Sequence, residues 1–298
     1  MSFLSFKSKL NNNFNKSNEY ILDNNKLLML QNVLLEIYND FITVCKKYNL
    51  KPFISGGSCL GMIRHNGFIP WDDDIDLSMS RYDFEKFKTI FQSEMSDKYI
   101  LKVPNSQFGS TCRFMKIYKK QSHFESIYEN NSGLNKIAID IFQCDYVPNN
   151  IIIRYCKGFL ANILMFITSC VETFSNGRIN DFNSVQFMIV YKLRAFIGFL
   201  FSFYKLSKWY DIIDSFIQQK EETDYITFAT GRKHYIGEII EKSVVFPLKS
   251  AKFCFIDAYI MNKPEEYLEN LYGSDYMVVP PEDKREHHYV KNLKFNEE

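Results

Sequence analysis

Two neighbouring stretches of the sequence combine residue types that handle phosphate groups and divalent cations. Gly56, Gly57 and Ser58 follow a short apolar run, and an acidic segment, Asp72-Asp73-Asp74-Ile75-Asp76, comes soon after them. A glycine-rich turn can hold phosphate oxygens through its backbone N–H groups, and paired carboxylates can hold magnesium. Either signal alone is weak, because acidic clusters are common in loops. Together they predict chemistry on a phosphate.

The acidic segment leads into an alternating pattern typical of a β-strand, in which successive side chains face opposite sides. On such a strand Asp74 and Asp76 share one face, while Ile75 and Leu77 point into the core. Two carboxylates spaced in this way suit Mg²⁺, with Mn²⁺ as the alternative, because these ions prefer oxygen ligands. The same alternation puts Asp72 at the edge of the site and turns Asp73 away from it.

A third carboxylate comes from a separate predicted strand, residues 137–142. Asp140 is the one charged residue in that apolar run. A lone carboxylate is costly to bury unless it is paired or bound to a metal. We therefore expect Asp140 to face the same site as Asp74 and Asp76.

Five further residues are candidates for substrate contacts, and four of them have a plain structural alternative. Arg64 could clamp a phosphate, since guanidinium pairs well with it, or could be a surface charge at a helix end. Lys116 could contact phosphate from a strand. Trp71 could stack on a base or on a cationic group, or could be a core aromatic. His287 and His288 could assist proton transfer or bind phosphate, or could be ordinary surface groups.

Composition limits the function classes. The chain has 298 residues and a formal net charge of +1, so its overall charge does not favour a nucleic-acid partner. The seven cysteines are scattered without a C-x-x-C pair, which is typical of reduced thiols in a cytoplasmic protein.

The pattern along the chain predicts four parts. Residues 1–24 form a polar N-terminal arm, residues 25–150 the catalytic core, residues 151–210 a helical insertion, and residues 211–298 a C-terminal part that completes the core. The core begins with a helix over 25–48, and a second helix is expected from Cys59. The insertion is apolar with a net charge of +5. Its helices either rest on an anionic membrane surface or pack on the core.

The motifs resemble a known family. G-G-S followed by hydrophobic-D-x-D-hydrophobic resembles the nucleotidyltransferase superfamily related to DNA polymerase beta. The longer stretch S-G-G-S-C-L-G-M-I-R-H-N-G-F-I-P-W-D-D-D-I-D-L resembles the LicD family, whose relatives include the fukutin proteins. A-I-D-I-F near Asp140 and L-Y-G-S-D-Y-M-V-V-P-P-E-D-K-R-E-H-H near the end are also similar. The resemblance implies an α+β fold, with a nucleotidyltransferase-like mixed β-sheet flanked by helices and a hydrophobic, basic helical insertion.

The resemblance also implies an activity. LicD-type proteins transfer phosphocholine, or a similar phospho-alcohol, from a CDP-linked donor to a hydroxyl of a cell-surface glycan or its lipid-linked precursor, and release CMP. By this resemblance Gly57 and Ser58 would hold donor phosphates, Asp74 and Asp76 would bind magnesium, and Asp140 would ligate metal or accept the acceptor's proton. The family pattern has an acidic residue where this chain has Lys119. The location expected is the cytoplasm or the inner face of the cytoplasmic membrane. The alternatives are transfer of NMP from an NTP with pyrophosphate release, and an inactive nucleotide- or membrane-binding module.

Overall fold

A computed structural model describes residues 21–104, 112–126, 134–176, 185–285 and 290–295 of the chain. Its α-helices are α1 (Asn24–Lys47), α2 (Gly56–His65), α3 (Arg81–Glu94), α4 (Ile151–Asn176), α5 (Val185–Leu200), α6 (Leu206–Ile217), α7 (His234–Gly237), α8 (Lys242–Val245) and α9 (Pro264–Tyr272). Its strands are β1 (Phe53–Ile54), β2 (Asp76–Ser80), β3 (Tyr99–Lys102), β4 (Met115–Lys119), β5 (His123–Ser126), β6 (Ala138–Val147), β7 (Tyr225–Thr227), β8 (Ile240–Glu241), β9 (Lys249–Phe253), β10 (Ile256–Ile260) and β11 (Val290–Lys294).

A mixed sheet is the centre of the described structure. Its main path runs β1-β2-β6-β4-β3, while β7 pairs with the end of β6 and β8 pairs with β7. Strands β2 and β6 are parallel, and the other neighbours are antiparallel. Two small antiparallel pairs, β9 with β10 and β5 with β11, lie apart from it. Helices flank this sheet and a helical segment is inserted after β6, so the α+β prediction with a helical insertion is confirmed.

Helix α1 forms much of the core against which the sheet packs. Leu30, Leu34, Ile37 and Phe41 recur at three- and four-residue steps, and all four are buried. Asp23 caps the helix by accepting a hydrogen bond from the backbone N–H of Lys26 at 2.9 Å. The predicted helix over 25–48 is thus confirmed to within one residue at each end. Both α1 and α4 are long and apolar enough to cross a membrane by composition alone, but the buried face of α1 is that of a core helix.

The segment around the glycines differs from the prediction at two boundaries. Helix α2 begins at Gly56, three residues before the predicted Cys59, because the glycines already form its first turn. Strand β2 begins only at Asp76. Asp72 donates its backbone N–H to the carbonyl of Ile69 at 2.9 Å, so residues 72–75 follow a turn and do not belong to the strand.

A buried charge cluster helps to fasten the insertion to the core. Arg81, in the first turn of α3, contacts Asp145 of β6 and Asp214 of α6, each at 2.7 Å. Beside it, Ala161 of α4 packs with Ile213 and Ile217 of α6 in a second apolar cluster. Helix α6 starts inside the predicted 151–210 insertion and extends beyond it. Its buried face makes it part of the connection to the core.

Candidate functional site

The sheet register puts three predicted site residues side by side. Asp76 of β2 pairs with Asp140 of β6, and Asp140 pairs on its other side with Lys116 of β4. Residues directly opposite each other in a sheet point to the same face. Lys116 Nζ lies 3.0 Å from Asp140 Oδ1, and both side chains are largely buried. The structure therefore brings together two carboxylates and one ammonium group from three strands.

The first turn of α2 lies directly against Asp76. The backbone N–H of Gly57 donates to Asp76 Oδ2 at 3.2 Å, and the backbone N–H of Asp76 donates to Ser58 Oγ at 2.8 Å. The backbone N–H of Ser55 donates to the carbonyl of Asp76 at 3.1 Å. A carboxylate at a helix N-terminus is stabilised by the helix dipole. The turn therefore fixes both the backbone and the side chain of Asp76. Ser58 is buried, so in this structure its hydroxyl positions Asp76, whereas the sequence predicted a phosphate contact.

Glycine is required at the start of this turn, and its absent side chain leaves room for a methyl group one residue later. Gly56 has a φ of +52°, and a Cβ there would lie 2.5 Å from Asp76 Oδ2. A Cβ at Gly57 would lie 3.4 Å from Asp72 Oδ2, 3.8 Å from Asp76 Oδ2 and 3.9 Å from the hydroxyl of Tyr272. The missing side chain of Gly57 thus leaves a space bordered by two carboxylates and a phenol.

The carboxylates repel one another at this site. The pKa of Asp76 is raised well above its ordinary value, first by burial and then by the nearby charges of Asp74 and Asp140. The hydrogen bond from Gly57 and the charge of Lys116 oppose this effect without cancelling it. Raised carboxyl pKa values of this origin are characteristic of sites that hold a cation or a shared proton.

Asp72 and Asp73 extend the acidic cluster. One carboxylate oxygen from each of Asp72, Asp73 and Asp74 lies within 4.8 Å of the others. The prediction that Asp73 points away is therefore wrong. It assumed strand alternation, which begins only at Asp76.

Lys119, where the family pattern expects an acidic residue, lies away from the site. Its Nζ pairs with Glu36 Oε2 of α1 at 2.7 Å. Because it is three residues beyond Lys116 on β4, it faces the opposite side of the sheet. The departure from the family pattern at this position therefore does not alter the carboxylate cluster.

Arg64 has a different contact from the one predicted. Its Nη1 donates to the backbone carbonyl oxygens of Tyr276 at 2.9 Å and Val278 at 3.3 Å, and its Nε donates to His65 at 2.9 Å. The side chain thus anchors the segment that follows α9, and the structure does not present it as a phosphate clamp. Its position at the end of α2 puts main-chain carbonyls within its reach.

Trp71 is partly buried and one face of its indole is already in contact with a cation. The guanidinium carbon of Arg285 lies 4.3 Å from the ring centroid, and the His65 ring meets the indole edge-on at 6.2 Å. A base or a choline group would have to displace Arg285 to stack on that face. His287 and His288 lie outside the described residues.

The C-terminal part supplies site residues that the sequence did not single out. The hydroxyl of Tyr267 accepts a hydrogen bond from the backbone N–H of Gly56 at 3.0 Å. The pKa of Tyr272 is raised by burial and by the charge of Asp76, and the guanidinium carbon of Arg232 lies 5.5 Å from its ring centroid. The motif L-Y-G-S-D-Y, which carried part of the family resemblance, contains Tyr272 and was the available signal for it, whereas Tyr267 lies just before that motif.

Comparison with known proteins identifies sequences that are similar to this chain. Residues 49–157 match the family model described as LicD/FKTN/FKRP, nucleotidyltransferase domain. The chain is 28% identical over 270 residues to the lipopolysaccharide cholinephosphotransferase LicD of Haemophilus influenzae, covering 88% of this chain and 95% of the relative. An uncharacterized protein of Rickettsia typhi is 37% identical over 57 residues, covering 19% of this chain and 18% of that protein. The matched domain contains Asp74, Asp76, Lys116 and Asp140. Residues 49–157 therefore match the nucleotidyltransferase domain of the LicD family, and most of the chain is similar to a LicD protein.

Proposed function

We propose that this protein is a divalent-cation-dependent phosphotransferase that moves a phospho-alcohol from a CDP-linked donor to a hydroxyl of a glycan. The observation that carries the proposal is the pairing of Asp76 with Asp140 beside the first turn of α2. The relative named as a lipopolysaccharide cholinephosphotransferase supports phosphocholine as the group transferred and lipopolysaccharide, or a lipid-linked precursor of it, as the acceptor.

The donor atoms of the site fit Mg²⁺ or Mn²⁺. Asp74, Asp76 and Asp140 would hold the ion through carboxylate oxygens, which are the ligands that these cations prefer. Burial and the two neighbouring carboxylates raise the pKa of Asp76, so a bound cation would relieve their repulsion. When bound, the ion would neutralise negative charge on the donor's phosphates.

The chain's own residues would orient the reactants. The space beside Gly57 would take a donor phosphate next to the positive end of the α2 dipole, and Lys116 would add positive charge beside it. The acceptor oxygen would attack the phosphorus that carries the alcohol, the bond from that phosphorus to CMP would break, and CMP would leave. Asp140 would accept the proton of the attacking hydroxyl. Catalysis of this kind is mainly positioning and electrostatic stabilisation.

The test is release of CMP from CDP-choline, CDP-ethanolamine, CDP-glycerol and CDP-ribitol in the presence of Mg²⁺ and lipopolysaccharide. Asp76→Asn keeps an acceptor for the N–H of Gly57 but removes the charge. We expect it to lower the rate of CMP release at least about a hundredfold, because cation binding contributes several kcal/mol to such reactions. Calorimetric titration with Mn²⁺ should show weaker binding in the same variant. Asp257→Asn is the control, since that side chain is 67% exposed and pairs with the surface residue Lys46.

Two results would overturn the proposal. Release of pyrophosphate from an NTP would assign the protein to nucleotidyl transfer, because the product distinguishes the two reactions. Absence of turnover with every donor, together with absence of cation-dependent nucleotide binding, would make it a binding module.

A further inference from the structure

The helices α4 and α5 present apolar faces that no other described part of the chain covers. On α4, Ile152 is 71% exposed, Phe159 62% and Ile163 38%. On α5, Ile189 is 59% exposed, Leu193 58% and Phe196 59%. These residues recur at three-, four- and seven-residue steps, so each set forms one stripe along its helix. Contiguous exposed apolar surface of this kind marks a binding surface.

The charge of the same segment has one dominant sign. Among the described residues between 151 and 210 there are six basic side chains and one acidic side chain. The acidic residue, Glu172, is paired with Arg113 at 3.3 Å. Lys192 is exposed beside the stripe residue Leu193 of α5, and Lys205 and Lys208 are exposed at the start of α6. An apolar stripe bordered by lysines is typical of helices that lie in the interface of an anionic bilayer.

The packing of α4 favours a helix that lies on the membrane over one that crosses it. The face opposite the stripe carries Ala161 and Met165, which are buried against α6. Lys157 donates from its Nζ to the backbone carbonyl oxygens of Ile217 at 3.3 Å and Gln218 at 3.1 Å. A membrane-spanning α4 would have to break these contacts and bring Lys157 into the hydrocarbon. The helix therefore has one face for the core and one for a partner.

Charge complementarity also decides between lipid and a second copy of the chain. A symmetric dimer through this face would bring the same excess of basic residues together from both copies. Anionic lipid headgroups would neutralise them instead, while the acyl chains receive the apolar stripe. The contact between α4 and α5 is close, since Gly198 lies against the backbone of Cys170 and Phe174 meets Phe199 edge-on at 5.7 Å. The two helices can thus approach a surface as one unit.

We infer that the exposed faces of α4 and α5 bind the surface of an anionic phospholipid bilayer. The inference goes beyond the proposed reaction and does not depend on it. It implies that the reaction takes place at the membrane surface, because the C-terminal end of α4 is connected to the site. Glu172 pairs with Arg113, and three residues later on the same chain segment Lys116 contacts Asp140. A protein held by this face would keep its carboxylate cluster close to hydroxyl groups of lipid-linked molecules.

The experiment is flotation of the full-length protein with phosphatidylcholine vesicles, with and without phosphatidylglycerol. We expect retention on the anionic vesicles and loss of retention at high salt, which screens the lysines. Leu193→Ser together with Phe196→Ser should lower the partition coefficient at least about tenfold, because each apolar side chain contributes to burial in the interface. The matched control is Tyr82→Ser with Phe255→Ser, two residues that are 72% and 75% exposed outside the insertion.

A second matched pair of variants tests the contribution of charge. Lys192→Gln, Lys205→Gln and Lys208→Gln together should weaken binding to anionic vesicles by roughly a factor of five for each lysine removed. Lys51→Gln, Lys252→Gln and Lys291→Gln remove the same charge from exposed positions elsewhere and should have little effect. Circular dichroism checks that the helices remain, and none of these variants touches the carboxylate cluster.

Three outcomes would overturn the inference. The first is failure of anionic vesicles to retain the wild-type protein. The second is equal loss of retention in the insertion variants and their matched controls. The third is a wild-type dimer in light scattering that becomes a monomer in the Leu193→Ser, Phe196→Ser variant. That result would show that this face binds a second copy of the chain. Because flotation uses no donor or acceptor, its result is independent of the proposed reaction.

Discussion

Replacing Gly56 and Gly57 separately by alanine distinguishes the structural role of the first turn of α2 from its proposed role in binding. The two glycines are adjacent, yet an added methyl group meets different surroundings at each. At Gly56 it would lie 2.5 Å from Asp76 Oδ2 and 3.1 Å from Asp76 Cβ, on a residue whose φ is +52°. At Gly57 its nearest neighbours would be Asp72 Oδ2 at 3.4 Å and Asp76 Oδ2 at 3.8 Å, which are ordinary contacts.

The two substitutions are expected to change the free energy of unfolding in opposite directions. A left-handed conformation costs a residue with a Cβ about 1–2 kcal/mol, and the overlap with Asp76 adds to this because the Gly57 N–H holds that carboxylate in place. We expect Gly56→Ala to lose at least about 2 kcal/mol in the free energy of unfolding. Gly57→Ala should gain about 0.5–1 kcal/mol, because alanine replaces a glycine within a helix. At about 2–4 °C per kcal/mol, the two melting temperatures should separate clearly.

The activities should nevertheless fall in both variants. In Gly57→Ala the methyl group would occupy the space between Asp72, Asp76 and the hydroxyl of Tyr272, where we propose that a donor phosphate lies. We expect kcat/KM for CMP release to drop at least about tenfold while the fold is as stable as the wild type. Thermal unfolding and CMP release are measured on the same preparations. Full activity of Gly57→Ala would refute the placement of the donor, and equal stability of the two variants would refute the reasoning from Gly56.

Two further variants test buried charges away from the reacting groups. Burial raises the pKa of Glu238 to about 7, so between pH 4.5 and 7 the native state binds a proton that the unfolded state lacks, and stability falls as the pH rises through that window. In urea unfolding, Glu238→Gln should therefore be more stable than the wild type at pH 8 by up to about 3 kcal/mol, and nearly as stable as the wild type at pH 4.5. The same difference in stability at both pH values would contradict this. Arg81→Met leaves Asp145 and Asp214 buried without their cation and should cost about 3–5 kcal/mol. Glu85→Gln, which removes a half-exposed contact of the same arginine, should lower the free energy of unfolding by less than about 1 kcal/mol. Similar losses of stability in the Arg81 and Glu85 variants would show that the buried cluster does not fasten the insertion.

The sequence predicted that Asp76 and Asp140 belong to one site, because each of them could be inferred from the pattern of its own strand. Asp76 follows from strand alternation beside Leu77, and Asp140 from the cost of leaving one carboxylate in an apolar strand. Neither argument needs to know which strands are neighbours. The register that makes Asp76 and Asp140 direct neighbours depends on the parallel pairing of β2 with β6, and periodicity alone does not predict pairing.

Where the structure differs from the sequence prediction, the cause is a tertiary contact or the geometry of a turn. Arg64 is a reasonable phosphate ligand by type, but it donates to carbonyls more than two hundred residues away in the chain. Asp73 was assigned by extending strand alternation into a segment that follows a turn. The same limit explains why Ser58 was assigned to phosphate, since its partner, the backbone N–H of Asp76, becomes visible only when α2 packs against β2.

The site depends on the C-terminal part of the chain as well as on the matched domain. The backbone N–H of Gly56 would lack a partner in the first turn of α2 without the hydroxyl of Tyr267, which lies 211 residues later. Tyr267 in turn lies near the buried Glu238, whose charge helps to raise the pKa of that tyrosine. An unpaired buried N–H costs about 1–3 kcal/mol, which is enough to shift the turn that fixes Asp76. The match to the family model ends at residue 157. The position of Asp76 within that match is nevertheless set in part by α9, which begins at Pro264. The part of the chain after the insertion therefore belongs to the site physically.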